Sequence, residues 1–190
     1  GYSMVYGIIR LLNFAHGDVI MIGAYIALLT IGAGVNPALA VVLTIFGCVF
    51  ISVLIERVAY KPLRGASPLA VLITAIGVSY LLQSLAQIIF GSATKMVTVY
   101  EFGAVKLFGA TIQISALVTL GVTVVVMVLL TLFVKYTRVG RAMIAVSEDR
   151  AAAQLMGINV NGIITITFAI GSALAALAGL FYLLKSPSIS

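Results

Sequence analysis

Long apolar runs separated by short polar turns organise this chain. Four runs meet or approach the about 20 residues a helix needs to cross the hydrocarbon core of a bilayer. They are 38–55, ending at Glu56 and Arg57; 69–90, following Pro68 and ending at Gly91; 114–134, ending at Lys135; and 162–184, ending at Lys185. The start is less regular. Arg10 interrupts 1–12, and the apolar run 19–31 has only 13 residues. Two solutions stay open for it. Either a span begins near Phe14, with His16 and Asp18 at the membrane's edge, or 14–31 is a half-helix packed against protein, as bilayers tolerate where backbone lines a cavity.

Basic residues mark alternate turns. Turns 56–68 and 135–161 hold seven, namely Arg57, Lys61, Arg64, Lys135, Arg138, Arg141 and Arg150, against Lys95, Lys106 and Lys185 on the other side. That bias predicts a cytoplasmic location for 56–68 and 135–161, with the Asn36-Pro37 turn and loop 91–113 facing outward. Within 91–113, the segments 98–100 and 105–108 flank Gly103 and predict a small hairpin.

Composition then fixes the solvent. Of 190 residues, 63% are apolar and 8% charged, whereas soluble domains are about a quarter charged. A soluble domain this short has too little interior to hide that much apolar surface. The fold class expected is all-α, a polytopic transmembrane helix bundle. Because the chain opens and closes beside apolar stretches, with no n-region or cleavage site near 1–12, it reads as truncated at both ends. The net charge of +6 lacks the aromatic-interleaved patch of a nucleic-acid binder and reports topology instead. Cys48 stands alone, so neither an intrachain disulfide nor a cysteine metal site is expected. His16, the one histidine, has no ligand cluster in the sequence around it, so no metal site is expected there.

Candidate chemistry lies in three places. In Asn13-Phe14-Ala15-His16-Gly17-Asp18, Asn13 can donate and accept, His16 titrates near neutrality, and Asp18 is an anion at the start of an apolar helix. The group can serve as a structural joint or as a wall of a translocation path whose helix-end N–H groups meet a carboxylate. In 69–90, Ser79, Gln83 and Gln87 recur every four residues beside Tyr80 and Ser84, which places them on one face. Such a face must meet protein or water, either as interhelical hydrogen bonds or as a wet cavity. In 162–184, Gly171, Ala175 and Gly179 form a small-residue stripe for close helix packing.

The soluble segment 135–161 predicts a short helix. Ser147 is placed to cap it, Glu148 and Asp149 suit its first turn, and Gly157 is placed to stop it. Two or three turns are too few to be stable alone in water. Its apolar Ala152, Leu155 and Met156 share a side, so the helix either links two spans or docks on a partner. The four clear runs carry no Asp, Glu, Lys, Arg or His in their interiors, and no G-x-x-x-x-G-K-S/T phosphate loop occurs.

Three blocks carry a family resemblance in order: YGIIRLLNFAHGDVIMIGAY at 6–25, ERVAYKPLRGASPLAVLITAIGVS at 56–79 and TRVGRAMIAVSEDRAAAQLMGINV at 137–160. They closely resemble the permease subunit of the branched-chain amino acid ABC importer. The resemblance implies one transmembrane permease domain over 1–190, multi-pass in a bacterial-type inner membrane. It also implies import driven by ATP that partner ATPase subunits use, with no cofactor on this chain and no catalytic residues. Expected partners are those ATPases, a second permease subunit, a periplasmic substrate-binding protein and the bilayer, with no nucleic acid. The run AAAQLMGINV resembles the coupling segment of ABC importer permeases, with Ala151 where a glutamate is usual and Glu148 one turn earlier. On that basis Gly140, Arg141, Glu148, Asp149, Arg150, Ala152, Ala153 and Gly157 are the expected ATPase-coupling residues. Asn13, His16, Asp18, Ser79, Gln83 and Gln87 are the expected substrate path. Urea or short amides are the alternative cargo within the class, and a passive channel is the alternative outside it.

Overall fold

A computed structural model describes residues 15–91, 95–96, 104–107, 110–185 and 188–189. The helices are α1 (Ala15–Gly32), α2 (Pro37–Ile55), α3 (Pro68–Phe90), α4 (Ile114–Tyr136), α5 (Arg138–Glu148), α6 (Arg150–Leu155) and α7 (Val160–Lys185). Strands β1 (Lys95–Met96), β2 (Ala104–Leu107), β3 (Ala110–Gln113) and β4 (Ser188–Ile189) form two antiparallel pairs, β1 with β4 and β2 with β3. Among the described residues, four helical stretches are long and apolar enough to cross a membrane, while α1 is shorter. The molecule is an all-α bundle with minor strand pairing.

Local chemistry explains where the helices begin. Asn36 Oδ1 accepts from Ala38 N at 3.0 Å, with Pro37 at the first helical position, where no N–H is needed. Ser67 Oγ does the same for Ala70 N at 3.4 Å ahead of Pro68. Helix α3 stops at Gly91, whose φ of +79° suits glycine. The path after α2 does not break at Glu56 as the charges predicted. It continues through a π-helical turn, Glu56–Tyr60, and a 3-10 turn, Lys61–Leu63.

Helices α1, α2 and α7 pack against one another as a trio, with α7 the most buried of the long spans. Gly23 lets α1 approach both neighbours, since a Cβ there would stand 3.1 Å from Cys48 Sγ and 3.3 Å from Ala176 Cα. Gly171, Ala175 and Gly179 are all buried, and Gly179 lies directly against the α1 backbone, with Ile20 O only 2.6 Å from where a Cβ would be. The small-residue stripe therefore serves packing within the chain. The Tyr25 and Phe90 rings stack at 4.5 Å and join α1 to the end of α3. Helix α4 is peripheral, and none of its described side chains is buried.

The Cys48 thiol donates to Val19 O at 3.7 Å. Cys48 lies near the midpoint of the continuous helical stretch Pro37–Leu63. Val19, the residue after Asp18, is therefore level with Cys48 on α2. The two basic turns meet at one end of the bundle, where Tyr60, Val71, Met143, Val146, Ala153, Ile164 and Phe168 share one apolar cluster. The hairpin of loop 91–113 pairs 104–107 with 110–113, so residues 105–107 form its first arm, not its second. A two-residue connection suits a tight hairpin better than the longer excursion around Gly103. Segment 98–100 lies outside the described residues.

Candidate functional site

Inside the bundle, α1 presents Asp18 to α3. Its side chain is 7% exposed. Gln83 Nε2 donates to Asp18 Oδ1 at 3.0 Å and to Ser79 Oγ at 3.2 Å, so the four-residue spacing of α3 aims both groups at one point. Asp18 Oδ2 is the one buried side-chain polar atom among the described residues that lacks a hydrogen-bond partner. Gln83 and Gln87 are exposed, one turn apart, and His16 is partly buried at the start of α1. The structure thus brings Asp18, Ser79 and Gln83 together, with Gln87 further along the same face. Asn13 lies outside the described residues.

A second polar group was not singled out from sequence. Glu56, with no exposed surface, opens the π-helical turn. Its Oε1 accepts from Arg64 Nη2, and its Oε2 accepts from Thr165 Oγ1 at 3.0 Å. Arg64 Nη1 also donates to Asn161 Oδ1. These bonds tie the turn after α2 to the first turns of α7, beside the apolar cluster at that end. The signal available in sequence was Asn161 and Thr165, polar residues at i and i+4 at the start of an otherwise apolar run.

The third feature is the segment between α4 and α7. Thr137 Oγ1 accepts from Gly140 N at 2.9 Å and opens α5. Gly140, Met143 and Val146 are its buried residues. Gly140 has to be small, because a Cβ would stand 2.4 Å from the Val134 backbone. Arg141 and Glu148 are exposed. Ser147 does not cap the next helix. It lies inside α5, donating to Ile144 O at 2.6 Å, because the apolar periodicity of Met143 and Val146 carries α5 through it. The cap is Asp149, whose Oδ1 accepts from Ala151 N at 2.8 Å and Ala152 N at 3.1 Å. Arg150, the first residue of α6, is half-buried. The predicted single helix over 147–157 is therefore a sharp corner followed by six helical residues, stopped by Gly157 at φ +83°. Ala153 faces the bundle at 4% exposed, whereas Ala152 is exposed and Leu155 and Met156 are 89% and 83% exposed. Two large apolar side chains stand off the end of the bundle, in an element anchored by one alanine.

Residues 1–190 match a family described as branched-chain amino acid transport system, permease component. The chain is similar to the high-affinity branched-chain amino acid transport system permease protein BraD of Pseudomonas aeruginosa, 41% identical over 207 residues. That match covers all of this chain and 67% of the relative. It is likewise 40% identical, with the same coverage, to the corresponding permease proteins LivH of Salmonella typhimurium and of Escherichia coli K12. No solved structure matches it significantly.

Proposed function

The chain belongs to the permease family of branched-chain amino acid transport systems, and from that premise we propose that it forms part of the membrane path of an ATP-driven importer for leucine, isoleucine and valine. Motor, second permease subunit and delivering binding protein are separate polypeptides in this reading. The sequence has no phosphate-binding loop of its own.

The observation that carries the coupling half of the reading is the Asp149–Gly157 corner. A six-residue helix cannot hold itself in water, and this one is fixed by a cap, a stop and Ala153, leaving Leu155 and Met156 outermost. An exposed apolar pair on a fixed element suits a groove on an ATPase, whose closure would be transmitted through α5 and the Glu56–Arg64 link to α2, α3 and α7. The path half rests on the Ser79, Gln83 and Gln87 face, where hydrogen-bonding groups can meet a zwitterion while apolar walls take its side chain.

Uptake by the complete transporter in proteoliposomes tests both halves. Labelled leucine should accumulate only with ATP and should be competed by isoleucine and valine. Uptake of urea or short amides in place of leucine would transfer the protein to that cargo, and leucine flux without ATP would make it a passive channel.

A further inference from the structure

Among the described residues, Asp18 is the point at which the buried polar side-chain groups fail to balance. Gln83 occupies Oδ1, while Oδ2 has no partner on a side chain that is 7% exposed. An unpaired buried oxygen is costly, more so on a carboxylate, and in a native protein it calls for an explanation such as a ligand. Two features argue for a ligand. The residue lies inside the bundle, one position before Val19, whose carbonyl meets Cys48 on α2. It also lies beneath Gln83, which is exposed on the polar face of α3.

The missing partner must donate hydrogen bonds and is best cationic, because a charge-assisted bond is the stronger kind. It must also leave again. An amino acid in transit brings such a group, since its ammonium carries three donors and a positive charge. We propose that Asp18 Oδ2 is the transient seat of the ammonium group of the transported amino acid, with Gln83, itself bonded to Ser79, holding the Asp18 carboxylate in place. The inference rests on the cargo reading above and gives it a contact. A single charge-assisted bond at the edge of a polar face holds the substrate briefly without trapping it. Urea and neutral amides bring no cation to this seat.

Asp18→Asn is the informative variant. It keeps the shape and the acceptor that Gln83 uses, but exchanges Oδ2 for an N–H group that opposes an ammonium. In the complete transporter, ATP-driven leucine uptake should fall at least about tenfold, the loss expected for one charge-assisted hydrogen bond. The thermal midpoint should not fall, because an unpaired buried charge has been removed. Asp18→Glu should recover part of the uptake. Full uptake by Asp18→Asn, or uptake lost in step with a lowered midpoint, would overturn the seat. A second measurement needs no transport. 3-Methylbutylammonium, which is leucine without its carboxylate, should raise the thermal midpoint of the unaltered transporter but not of Asp18→Asn, and 4-methylpentanoate should raise neither. An equal amine effect in both proteins, or in neither, refutes the proposal. An unaltered transporter that moves no leucine yet keeps the Asp18-dependent amine shift would sink the cargo reading and leave the seat standing.

Discussion

Arg64 reaches back across the turn after α2 to the carboxylate of Glu56, and the two side chains are 19% and 0% exposed. The asymmetry decides what each truncation does. Removing Arg64 strands the fully buried charge with only Thr165 as donor, whereas removing Glu56 strands a cation that can still reach water. Arg64→Ala should destabilise by about 3–5 kcal/mol and Glu56→Ala by less. The double variant should cost less than the sum, since the partners share one interaction. Chemical unfolding of the purified transporter in detergent measures all three, and equal costs would refute the asymmetry.

Gly179 and Gly121 separate contact from composition. A Cβ on Gly179 would meet α1 backbone, at 2.6 Å from Ile20 O and 2.9 Å from Ala24 N, and backbone cannot swing aside. Gly179→Ala should cost roughly 1–3 kcal/mol by forcing α1 from α7. Gly121 on α4 has nothing within 4 Å of such an atom. Gly121→Ala should leave the unfolding midpoint unchanged or slightly raised, by the same measurement.

The corner before α6 makes a prediction that distinguishes two neighbouring candidate caps. Asp149→Ala removes the acceptor for Ala151 N and Ala152 N and should weaken α6 by ~1 kcal/mol. Ser147→Ala should not, because that hydroxyl serves Ile144 O inside α5. Amide hydrogen exchange at Ala151 and Ala152 reads the difference, with faster exchange expected for the aspartate variant alone.

Leu155 and Met156 should matter to association and not to folding. Both are largely exposed, so Leu155→Glu with Met156→Glu should change stability by no more than about 0.5 kcal/mol. The ATPase subunits should no longer co-purify with the variant. Retention of the ATPases at the unaltered level would move the docking surface elsewhere.

How far these features could be read from sequence follows from the range of the interactions involved. Span positions were legible because apolar length and the Asn36, Ser67 and Gly91 signals act within a few residues. The convergence of Ser79 and Gln83 was legible for the same reason, since the helical period alone puts them on one face. Glu56 was not, because a charge in a basic turn looks solvated while its partner Thr165 is 109 positions away. Ser147 and Asp149 are equally good caps by residue type. The choice between them depended on where α5 ended, which packing of Met143 and Val146 decides. The burial of Asp18 required the register of α1 against its neighbours, set by long-range contacts such as Val19 with Cys48 and Gln83 with Asp18 itself.

That last contact equips the protein with its own clock. The chain has one thiol, sealed where α1, α2 and α7 meet, packed with Val19, Ala175 and Ala176 and bonded to Val19 O. An alkylating reagent can reach it only when that junction parts. The labelling rate of Cys48, followed with and without turnover, therefore counts openings of this three-helix junction with no engineered probe.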